Sequence, residues 1–231
     1  MEVGLHTQYL INKNLLLETA IATVLLAYVL LIVYGTKYVY NFFRGRGMKH
    51  NVAVYYNRKL IHILAGGVVA VLVPTVFTGA LIPLILALVL ALLTYMPHRS
   101  GELMYWFQVK ENMYEVNFCI MWGLALTVSW LILGSPIYGI LPVIFMSFGD
   151  AVTGIVRNGI FAKRTKHWVG NVAMLAVTLP VGLALAGVAG AVAAGASSLV
   201  EHFEIPPIDD NVLISLTATV VLIAASALGA L

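Results

Sequence analysis

The 231-residue chain lacks most of what a soluble enzyme carries on its surface. Charged residues make up only 10% of it, 13 Lys and Arg with 10 Asp and Glu, where a globular domain carries about 25%. Its one cysteine, Cys119, sits in an apolar run. That excludes an intrachain disulfide or a thiolate metal cluster and leaves Cys119 as a small core residue. The opening stretch, "MEVGLHTQYLINKNLLLETA", has neither the basic patch nor the small-residue cleavage site of a secretory signal, so the apolar run after it is expected to remain as a first helix. No G-x-x-x-x-G-K-[ST] loop or dinucleotide fingerprint occurs, which excludes the commonest phosphate cradles.

What is present is apolar sequence: 61% of the residues are hydrophobic and mean hydropathy is +0.96. Several uninterrupted runs reach the roughly 20 residues needed to cross about 30 Å of hydrocarbon as a helix. The expected fold is all-α, a polytopic transmembrane bundle of seven or eight helices forming one integral membrane domain over residues 1–231. Helices are expected near 17–40, 59–77, 79–96, 116–133, 138–156, 169–183, 187–203 and 211–230. Between 169 and 203, "VGLALAGVAGAVAAG" fits either one kinked span or a tight helical hairpin.

Charge sorts along these runs. Twelve of the thirteen cations, including Lys37, Arg44, Arg58, Lys59, Arg157 and Lys166, fall on one side, which the positive-inside rule makes cytoplasmic. Both chain ends are then outside. Eight acids, Glu102, Glu111, Glu115, Asp150, Glu201, Glu204, Asp209 and Asp210, share that side, although the sorting rule does not require them. They mark either a polar site or ordinary polar loops.

Individual positions sharpen this. In "YYNRKLIHILAGG", helical spacing puts Arg58 and Lys59 on the face of His62, with Gly66 one turn on. The two cations can snorkel to lipid phosphates, but an ionisable residue inside a membrane helix is a functional candidate. Asp150 follows "LPVIFMSFG" and needs a metal or a cation there. Its partner is either nucleotide-borne Mg2+, which takes one or two carboxylates and several phosphate oxygens, or a cation such as Arg157 or Lys59. Behind it, "RNGIFAKRTKHWVGN" combines four cations, a helix start and Gly170 into a candidate phosphate cradle. In "HRSGELMYWFQVKENMYEVNF", the aromatics Tyr105, Trp106, Phe107 and Tyr114 suggest an amphipathic segment at headgroup level. Glu111, Glu115 and Asn117 of that stretch are possible additional site residues.

In order, "RKLIHILAGG", "FGDAVTGIVRN" with "KHWVGN", and "EHFEIPPIDDN" resemble the motifs of the membrane-embedded, CTP-dependent lipid kinases that include dolichol kinase and phytol kinase. The likeness spans about residues 55–215, so 58–215 reads as a catalytic core, flanked by an N-terminal helix and basic loop over 1–57 and a last helix over 211–231. The chain departs from the family pattern at three points: Val169 stands where an acid is usual, Asn171 where Ser or Thr is, and "IFA" separates Gly159 from Lys163 where a basic residue usually follows at once.

The resemblance implies transfer of the CTP γ-phosphate to a long-chain isoprenoid alcohol in the bilayer, with Mg2+. It assigns metal to Asp150, Asp209 and Asp210, and nucleotide to Arg58, Lys59, Gly149, Lys163, Lys166, Gly170, Asn171 and Asn211. Asp150, His62 and Lys59 are the catalytic candidates, with His62 or a carboxylate orienting the alcohol. Gly66, Gly67 and the Gly/Ala run after Val181 offer either a groove for the tail or close helix packing. Nucleic acid is not an expected partner, and a homodimer through Gly-rich faces is compatible with the sequence. The alternatives are a CTP:lipid-phosphate cytidylyltransferase and, more distantly, a membrane transporter.

Overall fold

The computed structural model describes residues 4–162, 165–203 and 208–231. The apolar runs form seven helices long and apolar enough to cross a membrane. These are α1 (Leu15–Gly45), α2 (His50–Val76), α3 (Leu81–Ser100), α4 (Tyr114–Leu133), α5 (Pro136–Phe161), α6 (Trp168–Glu201) and α7 (Asp210–Ala227). No strand occurs among the described residues. This is the all-α bundle of a multi-pass membrane protein, in which each helix satisfies its own peptide groups where water cannot. The central helix is α5, with 78% of its most apolar stretch buried, whereas α3 buries only 17% and is the most lipid-facing.

Several boundaries differ from the sequence reading, among them the end of α3, at Ser100 instead of 96, and of α5, at Phe161 instead of 156. Helix α1 runs on to Gly45, and α2 begins at His50 instead of near residue 59. The polar start of α2 is kept helical by burial of Ala53, Val54 and Asn57. The Asn57 amide donates to the backbone carbonyls of Thr36 (2.7 Å) and Trp106 (3.0 Å). His62 therefore lies three turns inside its helix, not one. The aromatic stretch before α4 is a turn folded over the bundle, not an amphipathic helix. Trp106 and Phe107 are buried, and the Trp106 indole donates to Val33 O at 2.9 Å.

Helix α6 resolves the choice between kinked span and hairpin. A straight helix of 34 residues would be about 51 Å long and hold Asn171 and Ser198 about 40 Å apart. Instead the Asn171 amide donates to Ser198 O, and the Ser198 hydroxyl returns a bond to Asn171 O at 2.9 Å. Residues Ala186 and Gly187 leave helical geometry, Gly187 at φ 56°, and the arms 168–185 and 188–201 run antiparallel. Near the turn Gly182 and Gly190 meet backbone to backbone, and a Cβ on either would strike the other's carbonyl. The Gly/Ala run thus packs helix on helix.

The chain accordingly crosses the bundle eight times. Connections 45–50, 100–114, 161–168 and 201–210 gather at one end, and turns 76–81, 133–136 and 186–187 at the other. Residues 4–10 join the second group: His6 N donates to Leu131 O (2.8 Å) and Ala80 N to Tyr9 O (2.9 Å). Buried Glu18 clasps this end, accepting from the Thr78 hydroxyl at 2.6 Å, Thr78 N at 3.0 Å and the Asn12 amide at 2.5 Å.

Helices α2 and α5 each contain a π-helical segment, His62–Gly67 and Phe145–Gly149, packed against one another. Such segments release carbonyls from the helical ladder. In α2 the Tyr28 hydroxyl caps Leu64 O at 2.9 Å and the Trp122 indole caps Gly66 O at 3.0 Å. Gly66 and Gly67 admit the rings of Phe118 and Phe148, which a Cβ would strike.

Gly190→Leu is expected to break the hairpin and lower stability by about 1–3 kcal/mol or more. Gly195→Ala, where nothing lies within 4 Å, should leave it unchanged. Thermal unfolding of the two purified variants in detergent separates them, and equal melting would contradict the turn.

Candidate functional site

Both π segments end at the polar core: His62 opens one, and Asp150 follows the other. Lys59 Nζ lies 2.6 Å from Asp150 Oδ2, and His62 Nδ1 lies 3.4 Å from the same oxygen. All three side chains are buried. The imidazole is stacked on Phe118, ring centroids 4.0 Å apart. Gly154 makes this possible, because a Cβ there would collide with the Lys59 stem and the Tyr55 hydroxyl. The sequence left two partners open for Asp150, metal or cation. In this structure the cation is Lys59.

A second knot joins α5, both arms of α6 and α7. Arg157 grips Glu201 with both terminal nitrogens, at 2.7 and 2.9 Å, and also donates to Asn171 Oδ1 (2.8 Å) and His167 O (2.8 Å). Lys166 Nζ reaches Glu201 O at 2.6 Å, Glu201 Oε1 at 3.0 Å and Asp210 Oδ1 at 2.7 Å. Such fork-shaped, charge-assisted bonds hold geometry as well as charge.

The two knots meet. Asp150, Glu201 and Asp210 each present a carboxylate oxygen, and the three oxygens lie within 4.8 Å of one another. Like charges that close repel by roughly 3 kcal/mol per pair even at an effective dielectric of about 20. Lys59, Arg157 and Lys166 offset that repulsion. Hard oxygen donors on such a spacing suit Mg2+, and two buried acceptors without a partner among the described residues stand nearby on the cavity wall, Asn158 Oδ1 and Asn211 Oδ1. The residues present therefore fit a divalent cation.

A polar cavity of about 640 Å³ opens beside them. Its wall includes Tyr55, Arg58, Lys59, His62, Asp150, Arg157, Asp209, Asp210 and Asn211, with exposed Glu111 at the rim. Arg58 is aimed by the folded-over turn, its Nε donating to Phe107 O (2.8 Å) and its Nη2 to Asn112 Oδ1 (3.0 Å).

Several residues expected at the site take other roles. Asp209 is not in the carboxylate cluster: it caps α7, accepting from Val212 N at 3.0 Å, and its second oxygen accepts from the Asn117 amide at 2.7 Å. Burial pushes its carboxyl above the usual aspartate range, against the pull of the Asn117 and Val212 bonds. Gly170 makes room for the Arg157 guanidinium, and Asn171 ties the hairpin arms together. Gly149 gives passage to Thr178 and Met174 of the first arm. Asn211 donates to Tyr114 O at 3.1 Å while lining the cavity.

Glu111 lies in the turn before α4, so it shares no helical face with Glu115. Glu115 points away from the polar cavity, accepting from His98 Nε2 (2.5 Å) and Gln108 Nε2 (2.9 Å). Lys163 lies outside the described residues, as do Arg164 and Glu204.

Sequence reasoning gave no site role to Glu201, Tyr55 or Asn158. Glu201 carried a usable signal, since it opens the "EHFEIPPIDDN" motif at the end of an apolar run. The chain matches no protein-family model, no curated protein and no solved structure. The functional argument therefore rests on these residues.

Removing one partner of a buried ion pair strands the other. Asp150→Ala is expected to cost about 3–5 kcal/mol, with Lys59→Met in the same chain restoring most of it. Denaturant unfolding in micelles measures both, and unchanged stability in the single variant would show that the pair does not form.

Proposed function

We propose that the chain is a membrane-embedded kinase that transfers the γ-phosphate of CTP to the hydroxyl of a long-chain isoprenoid alcohol such as phytol, geranylgeraniol, a polyprenol or dolichol. The observation that carries this reading is the convergence of Asp150, Glu201 and Asp210 with Lys59 and Lys166 beside a polar cavity set within apolar spans. Phosphoryl transfer is mostly positioning and electrostatics, and it needs these ingredients: oxygen ligands for a divalent ion, cations for phosphate oxygens and a group to take the hydroxyl proton. A cavity of about 640 Å³ is within the range of ordinary ligand sites.

In this reading Asp150, Glu201 and Asp210 hold Mg2+, which when bound neutralises phosphate charge. Lys59 and Lys166, drawn off the carboxylates, and Arg58 at the wall bind the phosphate oxygens. The alcohol oxygen attacks the γ-phosphorus, the bond from that phosphorus to the bridging oxygen breaks, and CDP leaves. His62 takes the hydroxyl proton: its Nδ1 is buried and makes no aligned hydrogen bond, and Asp150 is close enough to stabilise the imidazolium. The basic end of the bundle faces the cytoplasm, supported by the Lys and Arg skew, with both chain ends on the far side.

A cytidylyltransferase would use the same nucleotide and ion. With purified protein, Mg2+ and each nucleoside triphosphate, label from γ-labelled CTP is expected to enter phytol, geranylgeraniol or dolichol. With the corresponding lipid monophosphate as acceptor, entry of label from α-labelled CTP into lipid with release of pyrophosphate would instead identify the cytidylyltransferase. Solute flux without either would favour a transporter.

Two variants test the roles. His62→Ala should lower kcat by about 10²–10⁴-fold with CTP affinity unchanged. Asp210→Asn, at a half-buried position, should raise the Mg2+ concentration needed for half-maximal rate. If His62→Ala turns over like the parent, the proton assignment is wrong.

A further inference from the structure

On the other side of His62 lies a second, apolar cleft, walled by Val29 and Val33 of α1, Val69 of α2, Leu86 and Leu90 of α3, and Trp122 of α4. It shares only His62 and Arg58 with the polar cavity, so those two side chains form the partition between an aqueous chamber and a hydrocarbon one. The wall is apolar except near its polar end, where Glu115 stands with His62. Glu115 Oε1 is engaged by His98 and Gln108, while Oε2 is buried with no hydrogen-bond partner among the described residues. An unfilled carboxylate oxygen calls for a donor. A hydroxyl is one, whereas an ester or a phosphate diester is not.

We propose that this cleft holds the hydrocarbon tail of the acceptor alcohol, hydroxyl foremost, so that the head reaches His62 from the apolar side while the triphosphate arrives from the polar side. The inference rests on the kinase reading for the identity of the head group. The wall it shares with the polar cavity at His62 and Arg58 is what distinguishes this cleft from a packing defect. It is narrow, about 80 Å³, so an entering chain displaces the Leu86 and Leu90 side chains. From Leu86 to Thr94 the lining extends about 12 Å along α3. Only the part of the tail nearest the hydroxyl is therefore enclosed, and the remainder lies in the bilayer, where its length is not read. The Gly/Ala run of α6, which packs its two arms against each other, takes no part.

A long-chain alcohol bearing a diazirine near its hydroxyl tests this by photolabelling the purified protein in nanodiscs. Label is expected on peptides of α2, α3 and α4 that line the cleft. Leu90→Trp, at a half-buried position, should reduce that label about tenfold, the loss of two buried methylenes' worth of affinity, while CTP affinity stays unchanged. Label on the arms of α6, or label indifferent to Leu90→Trp, would overturn the proposal. The two readings fail separately. Phosphoryl transfer with label elsewhere removes the cleft and leaves the kinase, and cleft label without transfer from any nucleotide does the reverse.

Discussion

A carboxylate in the middle of an apolar bundle has to be neutralised, and the organisation of this protein follows from how Asp150 meets that requirement. Lys59 reaches it at 2.6 Å, and three features of the surrounding chain exist to let it do so. Gly154 clears space for the lysine stem, and the π segment of α2 lies directly beyond Lys59. The π segment of α5 delivers Asp150 into α2 at the right height. Neither charge is tolerable alone there, since the cost of an isolated buried ion exceeds the stability of most domains. The pair therefore has to form with the fold.

The second knot works differently. Arg157, Lys166, Glu201 and Asp210 come from α5, the loop before α6, the second arm of α6 and the start of α7, so their bonds lock together elements far apart in the chain. Since the same carboxylates are the candidate ion ligands, the groups that hold the fold shut are also those that would meet a ligand. In the proposed reading, cations resting on carboxylates are a reserve: an incoming divalent ion and polyphosphate would exchange partners with them without leaving a charge bare.

Much of this was legible in the sequence. Apolar runs gave the spans, because hydrocarbon leaves the chain few choices, but left open whether residues 169–203 cross once or turn back as a hairpin. The grouping of Arg58, Lys59, His62, Asp150, Lys166 and Asp210 at one end was visible from charge sorting and helical spacing. What was not legible depends on distances between segments. Glu201 and Asp209 read alike as acids in one motif, yet only Glu201 faces Asp150, since Asp209 is spent capping α7. Gly149 and Gly170 looked like phosphate contacts, but a glycine serves a neighbouring side chain as readily as a ligand, and sequence cannot tell which. The π segments carry no sequence signature at all, and the apolar cleft is made by four helices whose facing residues are individually ordinary.

The tip of the α6 hairpin stops early. A Cβ on Gly182 would lie 3.1 Å from the Phe145 ring, and from Gly182 the first arm continues only about 6 Å to Ala186. The hairpin thus turns beside α5, at the end away from the polar cavity. Backbone that leaves the helical ladder at Ala186 and Gly187 has to be met by water, headgroups or protein, so the position of this turn constrains where a bilayer surface can lie.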